Sequence, residues 1–212
     1  RKLHSSLGEE GGKVTAARRL HTSTWGFVCP AETPEGKQCG LVKAISLIST
    51  VSLGSPMSAI VEILKGIGMI EFDKNEDFTT LVKIFVNGRW VGCTSTADKI
   101  FYTLRRFKRS GDLNPEISLS FDHTRGEIKV STESGRLIRP VFIVKGGELL
   151  IKKEHLKIDW EKLLESGLVE YIDAEEQDSE MFAVINKPSE LVELSPEMRE
   201  KITHCELHPS LL

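Results

Sequence analysis

The sequence has no extreme in composition, and each shortage closes a class of function. No apolar run approaches the roughly 18 residues that a membrane-spanning helix needs. No apolar core follows the basic start of "RKLHSSLGEEGG", as a signal peptide would require. Neither sign of charge dominates, since 28 Lys and Arg against 31 Asp and Glu give a formal net charge of −3. A nucleic acid or an anionic membrane would therefore have to be met by local patches. Only four cysteines occur (Cys29, Cys39, Cys93 and Cys205), too few for a disulfide scaffold in 212 residues, so a reducing compartment is expected. They also lack the two-to-four-residue spacing of zinc-binding pairs. The late "HCELH" (204–208) lacks the H-E-x-x-H order and the continuous helix of a zincin, because Pro209 follows at once. Neither a G-x-S-x-G nucleophile elbow nor a phosphate-cradling G-x-x-x-x-G-K-[ST] loop is present, and there are no internal repeats.

What is present reads as α+β, long enough for one domain or two. Residues 1–23 mix basic residues with "GEEGG" and read as a flexible charged loop, because few apolar side chains there offset the entropy of ordering. The stretch "GSPMSAIVEILKGIG" predicts a helix with Ser55 as N-cap, Pro56 in its first position, and Ile60, Ile63 and Leu64 on one face. Polar "EFDKNEDF" (71–78) reads as a linker. In "LVKIFVNGRWVGC", Asn87-Gly88 predicts a hairpin with a type I′ turn. An amphipathic helix over "STADKIFYTLRRFKRSG" follows, capped by Ser95 or Thr96 and ended by Gly111. Three short strands joined at Arg125-Gly126 and Ser134-Gly135 come next. After the "VKGGEL" hairpin turn there are two short helices, capped by Asp159 and by Ser195 with Pro196 first. Hairpins cluster instead of alternating with helices, which predicts mixed hairpin-rich sheets with short helices in two or more small subdomains.

Chemistry-bearing residues are sparse. The acidic run "YIDAEEQDSE" (171–180) could hold a cation but reads as a solvated loop. "LRRFKR" (104–109) reads as the charged outer face of a helix. Lys13, Arg18, Arg19 and His21 lie just ahead of an unusual loop, "CPAETPEGKQCG" (29–40), and such cations can neutralise phosphates by displacing counterions. Within the loop, Pro30 and Pro34 fix φ, while Gly36 and Gly40 permit close backbone approach. Glu32 and Glu35 would repel a polyanion, so they read as groups that orient basic residues, not as general acids or bases.

That loop carries a resemblance. "LHTSTWGFVCPAETPEGKQCGLVKAISL" (20–47) is similar to the fork region of the second-largest subunit of multisubunit DNA-dependent RNA polymerases, in its RNA polymerase II and archaeal branch. "IFVNGRWVG" (84–92), "SGRLIRPVFIV" (134–144), "LLESGLVEYIDAEE" (163–176) and "THCELHPS" (203–210) resemble further stretches of the same family, in the family's order. "CPAETPEG" is most similar to the RNA polymerase II form. The sequence departs from the family at Ala16-Ala17, where Lys-Pro is usual, and at Lys37, where Gln is common.

The resemblance implies a piece of a larger subunit, in keeping with a start on Arg1 and an abrupt end on "HPSLL". Residues 1–53 would be the end of the fork domain, 54–78 a helix and linker of external domain 1, 79–202 external domain 2, and 203–212 the start of the hybrid-binding domain. Arg18 and His21 would approach the template, hybrid or nucleotide, "GEEGGKVTA" would be a fork loop near downstream DNA, and Glu32, Thr33 and Glu35 would lie beside the RNA 3′ end, with Lys13, Arg19, Pro34 and Lys37 also facing the active centre or nucleic acid. No catalytic residue, metal or cofactor is expected in this span. The Mg²⁺ of the assembled polymerase would be held mainly by the largest subunit, and the piece alone would be inactive. Partners would be the largest and other polymerase subunits, template DNA and the RNA–DNA hybrid, with no membrane, in the nucleus, or in the cytoplasm or a virion for an archaeal or viral source. The alternative is a free-standing split subunit or interaction module.

Overall fold

Strand β1 (Lys2–His4) pairs antiparallel with β2 (Val42–Ala44), in a computed structural model that describes residues 1–5, 7, 14–72, 78–185 and 187–211. This pairing departs from the flexible loop expected over residues 1–23. β2 buries Val42 and Ala44, and β1 satisfies backbone groups along its edge. Short 3-10 turns form at Ala16–Arg18 and Thr22–Thr24. Lys13 and the "GEEGG" stretch lie outside the described residues, as do residues 73–77 of the expected linker.

After β3 (Thr50–Val51) comes helix α1 (Met57–Gly66), which buries Ile60 and Leu64. Pro56, not Ser55, occupies its N-cap, and the Ser55 amide donates instead to the carbonyl of Thr132 at 2.8 Å. Strands β4 (Val82–Val86) and β5 (Arg89–Thr94) form the predicted hairpin, with Asn87 and Gly88 at φ 51° and 73°. Helix α2 (Ala97–Arg109) follows, then β6 (Ser118–Asp122) and β7 (Glu127–Ser131). These strands make one sheet in the order β5-β4-β7-β6, with β4 and β7 parallel. Alternate residues Ile84, Val86, Leu119, Phe121, Ile128 and Val130 share one core with Ile60 and Leu64 of α1 and Ile100, Phe101 and Leu104 of α2. Burying each such side chain contributes roughly 1.5–3 kcal/mol.

The third predicted strand, β8 (Leu137–Lys145), leaves that sheet and becomes the spine of a second one. Its later members are β9 (Glu148–Leu149), β10 (Val169–Ile172), β11 (Phe182–Ala183) and β12 (His204–Cys205), and β3 pairs with β8 as well. Helices α3 (Trp160–Glu165), α4 (Ala174–Asp178), α5 (Pro188–Glu193) and α6 (Pro196–Lys201) connect these strands. Asp159 and Ser195 stand at the N-caps of α3 and α6 as predicted. Only Ser195 makes a capping bond, accepting from the Met198 amide. The α+β class therefore holds, with the 203–212 segment contributing a strand to the sheet built on β8.

One expectation is overturned here. "YIDAEEQDSE" is not a solvated loop: it forms the end of β10 and α4, and it buries Asp173 and Glu176. The cause is the cationic face of α2, which packs against it.

Candidate nucleic-acid interface

Loop 29–40 is closed at its base by backbone bonding. The Cys29 amide donates to Ala44 O at 2.9 Å, and Val28 bridges to Ile45. Inside the loop the Thr33 hydroxyl accepts from the Gly40 amide at 2.8 Å and donates to Val42 O at 3.1 Å. Arg18 Nη1 donates to the carbonyls of Lys37 and Cys39, both at 2.8 Å. The contact is tight enough that a Cβ on Gly40 would lie 2.4 Å from Arg18 O, and Gly40 also takes φ 74°. Two prolines and these straps hold the loop in one shape, so little further ordering is needed when something meets it.

The expected site residues divide into two groups. Arg18, which is half-buried, and Thr33, itself exposed, strap the loop through their side chains. Arg19, His21, Glu32, Glu35 and Lys37 are exposed, and Pro34 is half-buried at the turn. His21 caps the 3-10 turn at 22–24, its Nδ1 accepting from the Ser23 amide. The orienting role expected of the glutamates does not fit this geometry. Arg18 is aimed by backbone carbonyls, Glu32 lies 3.9 Å from Lys2 in an exposed pair, and Glu35 enters no ion pair among the described residues. Backbone carbonyls win because they are fixed by the loop, whereas an exposed carboxylate gains little from an ion pair in water.

A notch of about 90 Å³ opens beneath the loop, and Arg18, Arg19, Lys43, Glu32 and Thr33 line part of it. Three cations against one carboxylate make it locally basic on a chain whose net charge is −3. Beside it a more apolar cleft of about 400 Å³ is walled by Leu20, His21, Trp25, Pro30 and Pro209. Sequence reasoning missed Lys43. It is the polar residue between buried Val42 and Ala44, and the alternation of β2 points it to the open side.

It also missed how α2 meets the acidic run. Lys108 Nζ donates to both oxygens of Glu176 at 3.0 and 2.9 Å, with both side chains almost wholly buried. Arg109 forks onto Glu170 at 3.1 and 2.6 Å, Arg105 pairs with Glu180, and Arg136 with Asp173 at 2.8 Å. Buried His204 shares a hydrogen bond with Glu170 through Nε2, and Arg139 is bidentate to Glu206. Burial pushes the Glu176 carboxyl up to about 7, against the opposing pull of Lys108. Burial works the same way on Glu170, but its hydrogen bonds from His204 and Arg109 outweigh it and hold that carboxyl well below the usual range. Burial, with Glu206 nearby, pushes the Cys205 thiol up to about 12. Among the described residues no three His, Cys, Asp or Glu converge as a metal-ligand set, and no helix is long and apolar enough to cross a membrane.

Three family models match in chain order: RNA polymerase Rpb2, domain 3 over residues 1–51, domain 4 over 84–145, and domain 5 over 160–209. The chain is 39% identical over 226 residues to DNA-directed RNA polymerase II subunit 2 of Arabidopsis thaliana, with all of this chain and 19% of that protein covered. It is 38% identical over 221 residues to DNA-directed RNA polymerase II subunit RPB2 of Encephalitozoon cuniculi, again covering all of this chain and 19% of the relative. Identity is 36% over 257 residues to the subunit RPB2 of Schizosaccharomyces pombe, with 100% and 21% covered. The chain spans about a fifth of the length of these curated relatives. Matching the third, fourth and fifth domains in order, it belongs to the family of second-largest subunits of DNA-directed RNA polymerases.

Proposed function

We propose that this chain is the part of a DNA-directed RNA polymerase that presents loop 29–40 and its basic notch to the RNA 3′ end and the RNA–DNA hybrid. The rest of the span, built on the two sheets, serves as outer scaffold. The observation that carries this reading is the juxtaposition of Arg18, Arg19 and Lys43 beneath a loop strapped in one conformation by Thr33 and Arg18. Cations on a rigid frame can meet phosphates at fixed positions and release their counterions, whichever bases are present. The apolar cleft at Leu20, Trp25 and Pro209 offers a surface for sugar, base or a neighbouring segment of the assembly.

On this reading the chain positions and does not itself catalyse. On the same reading the polymerase Mg²⁺ would be held mainly by the largest subunit, the main partner. Residues 1–53 are assigned to the end of the fork, 54–202 to the external domains and 203–212 to the start of the hybrid-binding region. A nuclear location goes with the polymerase II relatives.

The test is the salt dependence of elongation-complex stability in the assembled polymerase. Arg19→Ala and Lys43→Ala should each lower the slope of log stability against log salt by about one phosphate contact, that is by roughly 0.7–0.9. Slopes unchanged by both substitutions would refute a nucleic-acid-facing notch.

A further inference from the structure

Arg139 on β8 has no exposed surface, yet every part of its guanidinium is occupied. Nη1 and Nη2 fork onto the Glu206 carboxylate, while Nε and Nη2 both donate to Gln177 Oε1 at 3.1 and 2.8 Å. The plane is flanked by the rings of Phe27 and Phe182, at 5.4 and 5.2 Å. Four stretches of the chain therefore converge on one side chain: the root of loop 29–40, helix α4, strand β11 and Glu206 just after β12.

The root of the loop is fitted against it. Gln177 turns its amide nitrogen to Trp25 O at 3.3 Å. A Cβ on Gly26 would sit 2.6 Å from Arg139 Nε, so only glycine lets the backbone lie on the guanidinium, and Gly26 takes φ 76°. From the opposite side Ser46 and Ser49 donate their hydroxyls to Gly26 O at 2.6 and 2.9 Å. Residues 25–27 are thus gripped between two serines and an arginine, immediately before Cys29 and the loop.

We propose that Arg139, held by Glu206 and Gln177, is a positioning residue of the polymerase: it fixes the angle at which the root of loop 29–40 is set against the second sheet, and so where the loop tip meets substrate. The inference rests on the reading of that loop given above. A planar cation suits the task because its donors point in fixed directions, whereas an aliphatic side chain of equal volume would fill the space without specifying an angle. Buried ion pairs of this kind can often be replaced by apolar groups without loss of stability. What such a replacement would change is geometry, and a misplacement of about 1 Å can cost up to about 10²-fold in rate.

The experiment compares three variants in the assembled polymerase by single-nucleotide addition, separating maximal rate from nucleotide KM. Hydrogen exchange over residues 25–40 is measured alongside. Arg139→Met with Glu206→Leu removes the charges together, so neither is left buried alone. Gln177→Leu removes the link to Trp25 together with the acceptor for Arg139 Nε and Nη2, and leaves the Arg139–Glu206 pair in place. Glu35→Ala probes the loop tip itself. The expected result is a fall of about 10-fold in maximal rate for the first two, faster exchange over 25–40, unchanged exchange in α2, and a rate effect of Glu35→Ala as well. If Glu35→Ala alters addition but the other two do not, Arg139 is a structural residue only and the inference fails by itself. If none of the three alters addition, the reading of the loop fails and takes the inference with it. An effect of Gln177→Leu without one from the double variant would also overturn the role of Arg139.

Discussion

Replacing Lys108 with Met removes one half of an ion pair that water does not reach, since the two side chains are 1% and 2% exposed. The ammonium gives two hydrogen bonds, at 3.0 and 2.9 Å, to a carboxyl that lies against Glu170 and Asp173 as well. Breaking a buried pair from one side costs about 3–5 kcal/mol, because the remaining charge loses its partner without regaining water. Glu176 has a partial escape. Its pKa already stands at about 7 with Lys108 present, so without that cation it takes up a proton at neutral pH, which places the expected loss near the lower end, about 3 kcal/mol. With a urea m-value of about 3 kcal/mol per M, the unfolding midpoint should fall by about 1 M. Lys108→Met with Glu176→Leu should recover most of this, to within about 1 kcal/mol of the parent, since both charges leave together. The assay is urea unfolding followed by tryptophan fluorescence at pH 7. A single variant within about 0.3 M of the parent would refute the reasoning, as would a double variant no better than the single one.

Because the folded carboxyl of Glu176 titrates near 7 and its ordinary value is 4.5, the folded chain keeps a proton between those values that the unfolded chain releases. Its contribution to stability is therefore complete below pH 4.5 and is lost as pH rises through 7. Glu176→Gln should flatten that part of the profile, measured as urea midpoints between pH 5 and 8, and an unaltered slope would count against it. Glu170, held well below its ordinary value, has the opposite sign: its contribution is present above 4.5 and disappears on acidification, so Glu170→Gln should remove part of the acid-side loss in the same series. Iodoacetamide should modify exposed Cys39 first and half-buried Cys29 second, and reach Cys93 and Cys205 only after unfolding, as peptide mass spectrometry would report; early labelling of Cys205 would contradict its burial and raised thiol. Thr33→Val removes both hydroxyl bonds of the loop strap at about 1 kcal/mol each; amide exchange at Gly40 should quicken about fivefold or more while α2 stays protected, and equal rates at Gly40 would show that the strap does not hold the loop.

Local signals were the legible part of this sequence. Asn87-Gly88, the apolar spacing of α1 and α2 and the Ser195-Pro196 start all act over a few residues, and each places its element within a residue or so of where it lies. The break came at β8. "SGRLIRPVFIV" announces a strand but carries nothing that says which sheet it joins. The charged stretches misled for a related reason. "LRRFKR" and "YIDAEEQDSE" each look solvent-facing alone, because a charge is buried only when its partner arrives from elsewhere. Glu176 and Lys108 are 68 positions apart, so neither composition nor period joins them. At the loop, the prolines and glycines disclosed a rigid turn. Arg18 could be picked out as a cation, but its inward strap to Lys37 O and Cys39 O depends on the path of the backbone.

The buried charges also bear on why the two larger sheets take one arrangement. Apolar packing within each sheet is non-directional and would tolerate sliding of one unit over the other. The contacts between them are of another kind: Arg105, Lys108 and Arg109 of α2 reach Glu180, Glu176 and Glu170, which belong to the β8 sheet and its α4 connection. A shift of a few ångström would leave several of these groups buried and unpaired, each at a cost of several kcal/mol. The arrangement is therefore penalised steeply on either side of one register, even if the pairs add little net stability at that register. Arg139 repeats the device one step further on, between the same sheet and the root of loop 29–40. Two successive charged joints thus lie between α2 and the loop, and their members Glu176 and Gln177 are neighbours on α4.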